Sequence, residues 1–174
     1  MPRLPYPKLA PEPYAHMTAL GHYLNTATTL DPILIELVRL RASILNRCNF
    51  CTGMHAAELR KHHEPDSRIE AIAHWQDTDA FTLRERAALA WTDVLTQLPG
   101  NEASDDDYAA VLQFFADKDL VDLTWTIAQI NAWNRMGIAF AAEWNPPHEA
   151  ATQQTPPNET ISAVNDDGGK VEQD

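Results

Sequence analysis

The sequence predicts an all-α fold, and three observations predict it. Apolar residues recur at three- and four-residue spacing along several stretches. No stretch alternates apolar and polar residues in the way of a half-buried strand. Helix-start signals precede the periodic stretches: Asp31-Pro32, Thr82 with Glu85, and Ser104 followed by three aspartates. At 174 residues the chain suits one domain, long enough to bury a real core.

Residues 1–13 carry Pro2, Pro5, Pro7, Pro11 and Pro13, a spacing that predicts an extended arm rather than helix or sheet. A helical domain is expected over 14–143. Its first helix runs over about 14–27, with Met17, Leu20 and Leu24 at helical spacing. Asp31 as cap and Pro32 at the first helical position start a second, over about 32–46. Its broad apolar side carries Ile33, Leu34, Leu37, Val38, Leu40, Ile44 and Leu45, with Glu36 at the edge of that arc. Arg41 falls inside the arc and needs a partner, because an unpaired buried charge is costly. A third helix is expected over about 49–63, ended near Pro65, and a short one over about 67–75 with Ser67 as cap. Thr82 and Glu85 form a capping box for a helix reaching about Leu98, where Pro99-Gly100 stops it. Ser104 with Asp105, Asp106 and Asp107 starts another, ending near Phe115. The last, over about 118–143, is apolar on most sides, which places it at the centre or in an oligomer contact. Residues 144–174 shift to Pro, Thr, Gln, Asn, Asp and Gly and read as a tail, disordered by itself. No internal repeat is present.

Hydrophobic content of 44% with 22% charged residues is that of a soluble globular protein. A net charge of −12 disfavours nucleic acid and anionic membranes as partners. No run approaches the roughly 18–20 apolar residues of a membrane span. The first residues lack the apolar core of a signal peptide. Two cysteines three apart, with no others, do not make a secreted disulfide scaffold. The expected location is cytoplasmic.

Both cysteines lie in Arg47-Cys48-Asn49-Phe50-Cys51-Thr52-Gly53-Met54-His55. On a helix, Cys51 and His55 share a face at i and i+4, and Cys48 lies one turn before Cys51, close enough for the sulfurs to bond. A thiol attacks only as thiolate, so it needs a nearby base and favourable helix N-terminal amides. A carboxylate beyond the histidine would fix its tautomer. Glu36 reaches it only if the second and third helices pack antiparallel; Glu58, three residues after His55, reaches it with no tertiary assumption. Spacing does not choose between them. Glu36 has a rival partner in Arg39 at i+3, and Glu58 in Lys61 or His62. The economical chemistry for two such thiols is peroxide reduction: one becomes a sulfenic acid, the other condenses with it to a disulfide, and an external dithiol resets the pair. Zinc is a rival, with Cys48, Cys51, His55 and a glutamate as ligands, though three ligands within eight residues is unlike the usual two-knuckle site.

Glu36-Leu37-Val38-Arg39-Leu40-Arg41, the segment Cys48 to His55, and Glu58 together resemble the alkylhydroperoxidase AhpD core of the carboxymuconolactone decarboxylase-like superfamily. Glu85 to Trp91 and Asn131-Ala132-Trp133-Asn134-Arg135 strengthen the likeness, which covers about residues 14–143. The resemblance implies an AhpD-like helical bundle assembling into homotrimers or homohexamers, with the site near a subunit boundary. It implies a thiol-dependent peroxidase acting on hydroperoxides, reset by an external dithiol or a lipoyl- or thioredoxin-like reductant, with no cofactor and no metal. It assigns Glu36 and His55 to a proton relay, Cys51 to sulfenic acid formation, and Cys48 to closing the disulfide. Local physics favours Cys48 instead, as the more acidic and exposed thiol at the helix start. The best-known branch has a further histidine between its cysteines, where this chain has Phe50. The lactone-decarboxylase branch lacks the cysteine pair, which disfavours decarboxylation here. Trp133 and Arg135 line either the site or a subunit contact, with core packing the plainer role for the tryptophan. Alternative functions are a non-catalytic metal-binding or redox-sensing oligomer, a partner-binding scaffold, and a superfamily isomerase or decarboxylase.

Overall fold

The computed structural model describes residues 2–98 and 102–145, and every regular element among them is helical. In chain order these are α1 (Tyr6–Leu9), α2 (Pro11–Thr26), α3 (Pro32–Leu45), α4 (Asn49–Lys61), α5 (Asp66–Ala71) running into a 3-10 turn (Ile72–Asp77), α6 (Leu83–Thr96), α7 (Asp105–Leu112) and α8 (Asp117–Ala139). No helix among the described residues is long and apolar enough to cross a membrane.

The molecule is organised around α3, which packs on α4, α6 and α8 and is buried without a break from Leu34 to Ser43. Leu34 and Val38 meet Trp91, Leu123 and Ile127 of α6 and α8 in one apolar cluster. Leu37 and Leu40 meet Leu59, Ile72 and Leu89 in a second. Three start signals act as their residue types dictate. The Asp31 side chain accepts from the Ile33 and Leu34 amides, and Thr82–Glu85 and Ser104–Asp107 both form reciprocal capping boxes.

Arg41 finds its partner in Asp93 of α6, through Nε to Oδ1 at 2.6 Å and Nη2 to Oδ2 at 2.8 Å. Its Nη1 donates to the carbonyls of Ile72 and Ala73. This guanidinium occupies carbonyls that a continuing α-helix would use. The expected 67–75 helix is accordingly different: it starts at Asp66 after Pro65, Ser67 is not its cap, and it tightens to 3-10 from Ile72, with His74 off helical geometry.

The first 13 residues are not an extended arm. Pro7, Pro11 and Pro13 all fall in the first turns of α1 and α2, where a missing N–H has no intrahelical partner to lose. The segment is fastened to the far end of α8, by Arg3 N donating to the Phe140 carbonyl at 2.9 Å and by Tyr6 stacking on Phe140. At the other end, the chain leaves α8 through Ala141 at φ 52°. Trp144, assigned from sequence to the tail, packs on Gly53 of α4 and meets Phe50 edge-on at 6.0 Å. The rest of the expected tail, from Pro146, and the Pro99-Gly100 stop lie outside the described residues.

Candidate functional site

α3 and α4 are joined by Asn46, Arg47 and Cys48. Arg47 takes a left-handed φ of 58°, which folds the chain back, and Cys48 caps α4. The two helices therefore run antiparallel: the Cys48 amide donates to the Ser43 carbonyl at 3.0 Å, and farther along Glu36 meets His55.

Cys48 and Cys51 are joined as a disulfide with their Cα atoms 5.4 Å apart. Both are 2% exposed, so the helix-starting Cys48 is not the more exposed of the pair. They pack with Ala42 and Ile130, flanked by Phe50 and Trp133. Gly137 of α8 lies directly against them: a Cβ there would stand 3.0 Å from Cys48 Sγ and 3.5 Å from Cys51 Sγ. The absence of a side chain at this one position makes room for the sulfurs.

One turn on from Cys51, His55 is 5% exposed and donates Nδ1–H to Glu36 Oε2 at 2.7 Å. The other oxygen, Oε1, accepts from Arg39 Nη1, also at 2.7 Å. Burial by itself pushes the Glu36 carboxyl up. The hydrogen bond and charge of His55, with Arg39, more than offset that and hold it below its ordinary value. With Glu36 ionised and accepting from Nδ1–H, Nε2 is the ring nitrogen left to exchange a proton. That Nε2 is buried and has no hydrogen-bond partner among the described residues. Outside the Glu36–His55 pair opens a cleft of about 480 Å³, bordered by Arg39, Asn25, Met54, Glu58 and His62.

The structure thus brings together Glu36, His55, Cys48 and Cys51. Glu58 is not on His55; it accepts from Lys61 at 2.6 Å on the surface. Trp133 packs on the cysteine cluster and meets Tyr14 edge-on at 5.4 Å, while Arg135 is exposed and donates to the Asn131 carbonyl. Among the described residues no three His, Cys, Asp or Glu side chains are grouped to hold a metal.

Three groups to which the sequence reading gives no part in the site also shape it. Arg39 is 7% exposed and bound to Glu36, a reading of i+3 spacing that competed with the histidine instead of joining it. Gly137 gave no signal. An amide clamp ties α8 to the hairpin turn: Asn46 Nδ2 donates to Asn131 Oδ1 and Asn134 Oδ1, both at 2.9 Å, and Asn134 Nδ2 donates to Ser43 Oγ at 3.0 Å. Two asparagines at i and i+3 inside an otherwise apolar helix were the available sign of it.

Chemically the arrangement can pass two electrons through the sulfur pair. It also offers an imidazole acceptor, oriented by a carboxylate, to move a proton.

A model of the carboxymuconolactone decarboxylase family matches residues 11–94, a stretch that includes all four of these residues. The uncharacterised protein YdfG of Bacillus subtilis is 33% identical over 138 residues, which is 79% of this chain and 93% of YdfG. ATU0492 of Agrobacterium tumefaciens, a protein of unknown function provisionally named as the antioxidant defence protein AhpD, superimposes with a TM-score of 0.81 at 33% identity, over 84% of this chain and 100% of its own. The debrominase Bmp8, solved with 2,3,4-tribromopyrrole, superimposes with a TM-score of 0.72 over 80% of this chain and 74% of its own, at 15% identity, a likeness of fold alone.

Proposed function

The chain belongs to the carboxymuconolactone decarboxylase family as an AhpD-like member, and from that premise we propose that it is a thiol-dependent peroxidase. The observation that carries the reading is a buried Cys48–Cys51 disulfide one helical turn from an imidazole whose Nδ1 is held by Glu36.

The cycle starts from the reduced pair. His55 Nε2 takes the proton of Cys51, and the thiolate attacks one oxygen of the hydroperoxide, breaking the O–O bond. Cys51 becomes a sulfenic acid, and the departing alkoxide takes a proton and leaves as the alcohol. The Cys48 sulfur then attacks the sulfenic sulfur, releasing water and closing the disulfide. Two electrons have moved from two thiols to the peroxide. An external dithiol of the lipoyl or thioredoxin type returns them by exchange, and its own sulfurs end as a disulfide. The order of the two cysteines follows the family likeness, since both are equally buried here. Glu36 and Arg39 keep the imidazole oriented with Nε2 free.

The reading places the protein in a reducing, cytoplasmic setting and in a trimer or hexamer. An outward strip of α8 that exposes Val121 and Trp125 supports assembly. The test is turnover of an organic hydroperoxide with a dithiol reductant, native protein against Cys51→Ser. A loss of at least a hundredfold is expected; equal rates would end the proposal.

A further inference from the structure

The reductive half of the cycle carries a steric condition. A thiolate must reach one sulfur of the disulfide, and both cysteines are 2% exposed, so part of their cover has to move first. Much of that cover is core. Ala42 of α3 and Ile130 and Gly137 of α8 lie against the cysteines, and the amide clamp of Asn46, Asn131 and Asn134 ties α8 to the end of α3. Trp133 is carried on α8 and braced by Tyr14. Phe50 is only partly buried, and its outer partner is Trp144.

Trp144 is held differently from the rest of the cover. It follows α8, so no helix carries it. Its indole N–H has no partner among the described residues, and contact with Phe50 and Gly53 is what seats it. The seat is made by a missing side chain, since a Cβ on Gly53 would overlap the indole ring. The end of α8 just before it is fastened: Arg3 donates its amide to the Phe140 carbonyl and Nη1 to the Ala139 carbonyl, both at 2.9 Å, and Tyr6 stacks on Phe140. Movement therefore starts at Ala141, which already sits at a left-handed φ of 52°, a conformation alanine holds at a cost.

We propose that Trp144 is a gate on the disulfide, governing access of the dithiol that resets it. Seated on Gly53 and Phe50, the ring keeps thiols from the sulfurs. Swung out about Ala141, it frees Phe50 to yield and lets a thiolate in. The place of the gate in a catalytic cycle rests on the peroxidase reading; the shielding itself does not.

The test is the rate at which excess dithiothreitol reduces the oxidised, full-length protein, read by alkylation and mass spectrometry. The reagent's thiolate attacks one cysteine sulfur and the other cysteine leaves as a thiol. The reagent's second thiol then closes its own ring and releases the first cysteine, so two electrons pass to the pair. Trp144→Ala is expected to be reduced at least tenfold faster than the native protein. Gly53→Ala, which unseats the ring from the other side, is expected to gain as much, and α4 is not weakened because a helix interior prefers alanine to glycine. Trp144→Phe, which keeps a ring over Gly53, is expected to stay within threefold of native. Native rates in both alanine variants overturn the proposal. So does a gain in Trp144→Ala that leaves Gly53→Ala at the native rate, because the seat then plays no part. A gain confined to variants whose thermal midpoint falls by more than about 5 °C also overturns it, since a loosened fold would then be the cause. No peroxide enters this assay, so its outcome and that of the Cys51→Ser comparison are independent.

Discussion

Glu36 is a buried carboxylate between two cationic or proton-donating groups, and its two oxygens serve one each. Its ionised form is favoured in the fold, so its contribution to stability is complete above the ordinary carboxyl value of 4.5 and is lost as pH falls through the lowered one. Glu36→Gln is expected to remove that part of the acid limb. It should also destabilise the protein at neutral pH by on the order of 3 kcal/mol, because Arg39 is left buried without its counter-charge. Urea unfolding between pH 3 and 7 measures both. The same residue marks how far the sequence could be read at this scale. Helical spacing placed Cys51 and His55 on one face, but the choice between Glu36 and Glu58 depended on how α3 and α4 pack. Arg39 was set against His55 as a rival, although a carboxylate can accept from both.

At the scale of elements, one ion pair joins three of them. Arg41 on α3 binds Asp93 on α6 through two bonds and also holds the carbonyls of Ile72 and Ala73 in the 3-10 turn. Removing one partner leaves an unpaired buried charge, which costs about 3–5 kcal/mol. Asp93→Leu alone is expected to show that loss in urea unfolding, and Arg41→Met with Asp93→Leu to recover most of it. The helix starts were legible because caps act locally: Asp31, Thr82 and Ser104 each satisfy amides within three residues. The demand of Arg41 for a partner was legible too, but its identity, 52 positions along the chain, was not. The prolines before Tyr14 misled because their spacing suits an extended chain as well as the first turns of two short helices. Only the docking of Tyr6 on Phe140 decides between them.

For the whole molecule, the apolar character of α8 all round has two causes. Leu123, Ile127 and Ile130 face the interior, while Val121 and Trp125 are 55% and 53% exposed. If copies associate through that outer strip, Trp125→Glu should convert the assembly to monomers with little change in subunit stability, as read by sedimentation velocity and thermal unfolding. An unchanged sedimentation coefficient would move the contact elsewhere. Sequence periodicity made the all-round apolar pattern visible, but not which residues point outward, since that depends on where α3 and α6 lie against it. Both described ends of the chain gather at one corner: Arg3 is pinned to Phe140 at the end of α8, and Trp144 rests on the helix that begins at the cysteines. A partner joined just before Arg3, or to a chain cut after Asn145, would therefore start from the same neighbourhood. A redox donor tethered there by a short flexible linker would meet the sulfur pair at an effective concentration in the millimolar range, with no dedicated recognition surface.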